Sequence, residues 1–436
     1  MSTAAPAGGL KSWVSAQLRV PLVRNAYSLV SSTITNSALG VVFWIVAARI
    51  FSASTVGRDS SLISAMLFVS VLAQLNFNNA FNRFIPTAGN LTRRLVRAGY
   101  ATALGLSLLA AVVFLLGVHT WAARLSYVDR HPLEAAWFIL ATMIWTVFVL
   151  EDSVLIGLGQ AQWVLVENAV FGVLKVIAVI IIATQIHRFG IFLAWTAPLI
   201  LVVIPVNLYL FRRAIPRHEQ HEALEHIDAR VIGRFVGPDF AAQLIRTATT
   251  NLTPIIVLAI AGSSAAGYAY LATTVGYTLY LLIINVGASF VTEASRYPER
   301  IAEYTRKTLS HCFAIIVPLS ILMIITSTFV LSLFGEEYPE RGETLLRLMA
   351  LSAIPNVIVA TYVSVARVQR RMTAVVVTVT ATSGSVLILT VILLHTIGLD
   401  GVGLAWLLGQ SGVALVILLT GFRSLWIPGA RSRVSG

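Results

Sequence analysis

The sequence predicts an all-α polytopic membrane protein, with twelve transmembrane helices in two six-helix lobes related by a pseudo-two-fold axis along the membrane normal. Three observations carry this. The 436 residues are 57% hydrophobic and only 11% charged, with a mean hydropathy of +0.83, whereas a soluble protein carries about 25% charge. Apolar runs of about 20 residues, the length that crosses a bilayer, recur along nearly the whole chain. The two halves also repeat one another at a nearly constant offset.

The apolar runs place spans at 26–48, 60–82, 98–118, 134–157, 163–186, 190–211, 235–260, 267–291, 309–334, 344–366, 372–395 and 401–423. These divide the chain into an interfacial N-terminus (1–24), a first lobe (25–211), a linker (212–232), a second lobe (233–424) and a tail (425–436). Residues 10–24 have the pattern of a basic interfacial helix with Trp13, Val14, Leu18 and Leu22 on one side. They lack the apolar core of a signal peptide. The linker "RRAIPRHEQHEALEHIDARV" (212–231) reads as an amphipathic surface helix, with His218, His221 and His226 on a solvated face.

Orientation follows from charge. Of the 31 Lys and Arg, 21 fall on one side of this arrangement, 7 on the other, and three (Arg83, Lys175, Arg246) within spans. By the positive-inside rule the richer side, which includes both termini, is cytoplasmic, and the net charge of +12 reports topology rather than nucleic-acid binding. The single cysteine, Cys312, excludes an internal disulfide and a Cys-based metal site. Nothing in the sequence calls for a cofactor or metal.

The repeat rests on several matches. "GIFLAW" (190–195) and "GVGLAW" (401–406) are 211 apart, and "FSASTVG" (51–57) and "AGSSAAG" (261–267) are 210 apart. Arg24 and Arg234 precede the first span of each half, again 210 apart. Six spans per half give both halves the same orientation, as in parallel repeats around a central cavity.

Ionisable and amide side chains inside spans are costly, and they point either to a functional site or to a structural pair. In "GPDFAAQLIRTATTNLTP" (237–254), Asp239, Gln243, Arg246, Thr250 and Thr253 form one helical stripe bordered by Asn251. Lipid cannot solvate that stripe, so it faces protein or water. Pro254 removes a backbone hydrogen bond there and can kink the helix. Lys175 lies about 18 Å of helical rise past Trp163, and Arg246 a similar distance past Arg234, which puts both near mid-depth. Two cations from opposite lobes suit an anionic headgroup; the alternative is pairing with carboxylates inside each lobe. Glu151, Asp152 and Glu167 are matched in depth across the turn between spans four and five. Clustered carboxylates can hold a proton, so these three and Asp239 are candidates for ion coupling, the alternative being ion pairs with Arg83 or Arg94. "LNFNNAFNRFIP" (75–86) reads as the cytoplasmic third of span two, with Asn76, Asn79 and Arg83 on one face, lining an entrance to the cavity. Asn285 in span eight is a milder counterpart.

Several stretches carry a family resemblance. "FWIVAARIFSASTVGRDSSLISAMLFVSVL" (43–72), "AFNRFIPTAG" (80–89) and "LEDSVLIGLGQAQWVLVENAVFGVLKVI" (150–177) resemble the polysaccharide-transport branch of the MATE-like multidrug/oligosaccharidyl-lipid/polysaccharide exporter superfamily, which includes O-antigen and capsule-repeat flippases. Arg83, Phe84 and Pro86 match its "RF-P" element, and Asp152 to Leu158 its "D-S-x-L-I-G-L" element. Gly159 and Gln160 stand where family members often carry arginine. The resemblance covers most of the first half and is vaguer in the second. It implies an ion-coupled flippase of the cytoplasmic membrane, not an enzyme, that moves a polyprenyl-pyrophosphate-linked glycan for cell-surface polysaccharide or lipopolysaccharide biosynthesis. Its partners would be membrane lipid and other polysaccharide assembly proteins. The sequence carries no nucleotide-binding motif, consistent with ion coupling. Two other functions are weighed against this one. A drug or cation antiporter of the same fold would want acidic, aromatic-rich cavity walls. A membrane-embedded glycosyltransferase or polymerase would want a catalytic group in a substantial external loop, where only Asp59 and Asp129 lie near and the loops are short.

Overall fold

The computed structural model describes residues 21–183, 189–223 and 229–421. The basic N-terminal stretch, most of which precedes residue 21, and His226 lie outside the described residues, as does the side chain of Asp239. The described residues are helical throughout, with no strand. Twelve helical stretches are long and apolar enough to cross a membrane. Each overlaps one of the twelve spans read from the sequence, so the all-α polytopic class holds.

The helices used below are α1 (Pro21–Ile50), α2 (Ala53–Gln74), α3 (Phe77–Ala88), α4 (Thr92–Leu116), α5 (Pro132–Gly157), α6 (Ala161–Ala183), α7 (Gly190–Thr196), α8 (Pro198–Tyr209), α9 (Ala229–Ala261), α10 (Ser263–Arg296), α11 (Ile301–Ser332), α12 (Glu337–Val368), α13 (Met372–Thr396) and α14 (Asp400–Val416). They fall into two compact units. Unit 1 comprises residues 1–47, 69–118 and 126–237; unit 2 comprises residues 48–68, 119–125 and 238–436. The start of α2 therefore belongs to unit 2, together with the end of α1.

Two segments depart from the expected spans. The second span begins at Ala53, with Arg58 and the buried Asp59 already inside its first turns, and it ends at Gln74. Leu75 and Asn76 then adopt left-handed backbone conformations (φ 45° and 62°) that break the helix. Asn tolerates this region better than other non-glycine residues. "LNFNNAFNRFIP" is thus a turn plus the separate helix α3, not the cytoplasmic third of span two. No Gly or Pro marks the turn; Gln74, Asn76, Asn78 and Asn79 are its only sequence mark, and polar residues in a span read equally as a cavity face. The second departure is in the linker, where residues 210–218 continue helically from α8 through a wide turn instead of forming a detached surface helix. His218 Nδ1 meets Thr92 Oγ1 at 3.0 Å, and Glu219 pairs with Arg93 at 3.1 Å, so this segment is tied to the start of α4.

Helix α3 is amphipathic. Ala80, Phe81, Phe84, Ile85 and Ala88 are buried, while Asn82, Arg83 and Pro86 are exposed. Its apolar face packs where small residues permit close approach. A Cβ on Gly157 of α5 would lie 2.8 Å from Ile85 Cβ, and one on Gly99 of α4 would lie 2.5 Å from the Phe81 ring. Lipid tails supply little hydrophobic drive between helices, so tight packing of this kind holds them together. The polar end of α2 is bonded internally, although Asn78 Oδ1 is buried without a partner among the described residues. Asn78 donates to Gln74 (3.2 Å), Gln74 donates to Ser70 (2.9 Å), and Ser70 bonds Thr146 of α5 (2.9 Å).

In unit 2, α9 runs unbroken through Pro254, and the Pro254 carbonyl accepts the Ser61 hydroxyl at 3.1 Å. Arg49 donates to the carbonyls of Ser332 (2.6 Å) and Leu333 (2.9 Å). It thereby satisfies the C-terminus of α11, where carbonyls lack partners within the helix.

Candidate functional site

Unit 2 encloses a cavity of about 430 Å³ between α9, α10, α12, α13 and α14. Two guanidinium groups reach it: Arg246 from α9 and Arg367 from the last turn of α12. Among the described side chains that line it, none is acidic. Arg246 forms no ion pair among the described residues; its Nη2 reaches Gln243 Oε1 at 3.5 Å, and its charge acts on the Tyr277 hydroxyl.

Much of the remaining wall is aliphatic, from residues such as Ile283, Ile284, Val359 and Val386, and aromatic, amide and hydroxyl groups interrupt it. Tyr277 and Tyr280 stack one helical turn apart on α10 (5.5 Å, 10° between planes), and Trp406 of α14 presents an edge contact to each, at 6.2 and 5.2 Å. The Tyr280 hydroxyl is held by Ser352 at 2.7 Å. Asn356 donates to Gln410 Oε1 at 3.1 Å, linking α12 to α14. The lining hydroxyls of Thr249, Thr250, Ser364 and Thr382 donate back to carbonyls of their own helices. Their oxygens remain free to accept.

Of the residues singled out from the sequence, the cavity contains Arg246. Gln243 touches it only through the Arg246 guanidinium, and Asn251 donates to the Thr247 carbonyl (3.2 Å). Asn285 is exposed elsewhere on α10. Lys175, Arg83, Asn76 and Asn79 belong to unit 1. Asn79 donates to Asn76 Oδ1 at 2.8 Å within the α3 turn. Lys175 is 5% exposed, and its ammonium faces the rings of Phe171 (5.1 Å) and Phe43 (5.8 Å), with no ion pair or hydrogen bond among the described residues. Sequence reasoning did not single out Arg367, Tyr277, Tyr280, Asn356, Trp406 and Gln410.

Unit 1 contains the acidic cluster. Glu151 is 0% exposed and Glu167 3%. Their carboxyl groups are within hydrogen-bond reach of each other, and among the described residues no other group donates to either oxygen of Glu167. Asn207 of α8 donates to Glu151, and Asn168 donates to both oxygens of Asp152 at 3.3 and 3.4 Å. The Tyr100 hydroxyl, buried and without a partner, lies within the field of all three carboxylates. Among the described residues no Lys or Arg pairs with any of them. The alternative of ion pairs with Arg83 or Arg94 is therefore not realised. Like charges buried together without a cation are strongly unfavourable.

No family model matches the chain, and no curated protein matches it in sequence. Its fold is nevertheless one found in solved structures, that of MATE-like membrane transporters. It is similar to the lipid II flippase MurJ in an inward closed conformation, with a TM-score of 0.69 at 14% identity over 89% of this chain and 86% of that one. It is also similar to a MATE transporter in complex with MaL6 (TM-score 0.60, 13% identity, 93% and 96% covered). An inward-facing multidrug resistance MATE family transporter of the MOP superfamily gives a TM-score of 0.59 at 15% identity, with 90% and 94% covered. The chain is a multi-pass helical membrane protein with the MATE-like fold.

Proposed function

We propose that the protein is a membrane transporter rather than an enzyme, and that it flips a lipid-linked oligosaccharide on a polyprenyl pyrophosphate across the cytoplasmic membrane for cell-surface polysaccharide assembly. The observation that carries this reading is the unit 2 cavity, whose described lining includes Arg246 and Arg367 and no acidic side chain. Guanidinium groups bind phosphate through paired, charge-assisted hydrogen bonds. A fold shared with a lipid II flippase supports a lipid-linked substrate. The similarity to the polysaccharide-transport branch supports a glycan cargo.

Energy comes in this reading from an ion gradient. Glu151, Asp152 and Glu167 take up a proton or a cation in one state and release it in the other, and Asp239 is a further candidate on α9. Lys175, a buried cation of unit 1, is a further candidate for handling the anionic headgroup, and Arg83, on the exposed face of α3, is a candidate for its entry.

The test is flipping of a fluorescent polyprenyl-pyrophosphate glycan in proteoliposomes, comparing wild type with Arg246→Ala and Lys175→Ala. Loss of flipping in Arg246→Ala supports the headgroup role; unchanged flipping in both variants removes it. A drug or cation antiporter of the same fold is the second reading, favoured by the aromatic wall of Tyr277, Tyr280 and Trp406. The two arginines repel a cationic drug, and uptake of an organic cation by the same vesicles would reverse the choice.

A further inference from the structure

The unit 2 cavity holds more than a charge site needs. Trp406 is 5% exposed, lines the cavity, and its indole Nε1–H has no hydrogen-bond partner among the described residues. A buried N–H without a partner is costly unless something else accepts from it. The two amides beside it are half-used. Asn356 spends one N–H on Gln410 Oε1, which leaves Asn356 Oδ1 and Gln410 Nε2 without partners among the described residues. One open acceptor and two open donors thus stand next to the Tyr277–Tyr280–Trp406 cluster. Arg367 lies eleven residues past Asn356 on the same helix, about 16 Å along its axis by helical rise. Arg367 is thus remote from the amides, while Arg246 is near enough for its charge to act on the Tyr277 hydroxyl beside them.

Neutral amides and an indole N–H suit hydroxyl groups, which both donate and accept. Aromatic faces suit the apolar C–H face of a pyranose ring. An apolar drug would leave the three polar groups unmatched, and an organic cation would meet the arginines. We propose that the amide and indole group formed by Trp406, Gln410 and Asn356, with Tyr277 beside it, is a carbohydrate subsite that holds the sugar next to the pyrophosphate. This rests on the lipid-pyrophosphate reading above and adds a recognition element to it: the transporter distinguishes the glycosylated carrier from the bare one.

The experiment measures binding of two probes to the full-length protein in detergent: undecaprenyl pyrophosphate, and undecaprenyl pyrophosphate carrying one N-acetylglucosamine. The quantity read is the ratio of the two affinities within each protein. In wild type the sugar-bearing probe should bind about tenfold tighter or more, as expected where a site is built to hydrogen-bond a substrate hydroxyl. Trp406→Phe and Gln410→Ala should each bring the ratio toward one. They are made separately, and each is checked by its melting transition, so that a folding failure in one leaves the other to decide. Equal affinities in wild type would overturn the subsite while leaving the pyrophosphate reading intact. A tenfold ratio that survives in both variants would place sugar recognition elsewhere and overturn it too. Binding of neither probe would remove the lipid-pyrophosphate reading itself, and the subsite with it.

Discussion

Gly57 and Gly267 meet in a reciprocal contact. A Cβ on Gly57 would lie 1.8 Å from the Ser263 carbonyl oxygen, and one on Gly267 would lie 2.3 Å from the Ala53 carbonyl oxygen. Ser263 follows Ala53 by 210 residues, and Gly267 follows Gly57 by the same number. The starts of α2 and α10 thus use equivalent positions of the internal repeat against each other. An isologous contact of this kind is what a two-fold axis between the two helix starts produces. The offset seen in "FSASTVG" and "AGSSAAG" therefore has a physical counterpart.

Because the obstructing atoms are backbone, no side chain can turn aside to admit a methyl group. Gly57→Ala or Gly267→Ala must push the helices apart, and overpacking of this kind costs about 1–3 kcal/mol. Both variants should melt several degrees below wild type in detergent. Gly384→Ala is the control, since nothing lies within 4 Å of its added methyl. Alanine is favoured over glycine in a helix by roughly 0.8–1 kcal/mol, so that variant should melt at or above wild type. Indistinguishable melting of Gly57→Ala and Gly384→Ala would remove the close contact.

The buried carboxylates give a second prediction. Glu167→Gln removes an ionisable group and keeps the shape of a protonated side chain. Thermal stability should stay close to that of wild type, because the amide N–H can donate to Glu151 as a shared proton would. Flipping driven by an imposed ion gradient should fall to the level seen without a gradient. A variant that loses stability yet keeps its gradient response would assign Glu167 a purely structural role.

What the sequence could and could not reveal follows from the kind of signal each residue leaves. The spans were legible because hydrophobic length is a one-dimensional property. The end of span two was not, because the left-handed turn at Leu75–Asn76 carries no Gly or Pro. Arg246 was legible as a charge in an apolar run. Arg367 was not, since at the end of α12 it has the pattern of any cytoplasmic-loop arginine, and only the packing of α9, α10 and α12 brings it to the same cavity. Trp406 could have been suspected from its repeat partner Trp195, and both sit in aromatic clusters, Trp195 with Trp145 and Phe171. Asn356 and Gln410 are lone amides in apolar helices, a weaker form of the signal that picked out Gln243. The grouping of Glu151 with Glu167 was read from depth across a turn. That no cation accompanies them needed three dimensions.

Charge at the cavity gives a third prediction. Arg246→Ala removes a guanidinium worth about 1.5–3 kcal/mol per charge-assisted hydrogen bond, so affinity for undecaprenyl pyrophosphate should fall roughly tenfold to a hundredfold. Arg246→Lys keeps the charge but not the fork that engages two oxygens at once, and it should fall in between. Raising the salt concentration should weaken wild-type binding more than binding by Arg246→Ala. Equal affinities for all three proteins would show that the anion binds elsewhere.

Orientation gives a fourth. Charge counting puts the loop at Arg130 outside and the loop at Glu299 inside, with five spans between them. The chain has one cysteine, Cys312, which is 3% exposed, so Cys312→Ser supplies a background without thiols. Arg130 and Glu299 are both exposed, and each can carry a single introduced cysteine. In intact cells a membrane-impermeant maleimide should label Arg130→Cys and leave Glu299→Cys unlabelled until the membrane is opened. The reverse pattern would invert the topology. Labelling of both from the same side would mean that an even number of spans separates them, and the twelve-span count itself would have to change.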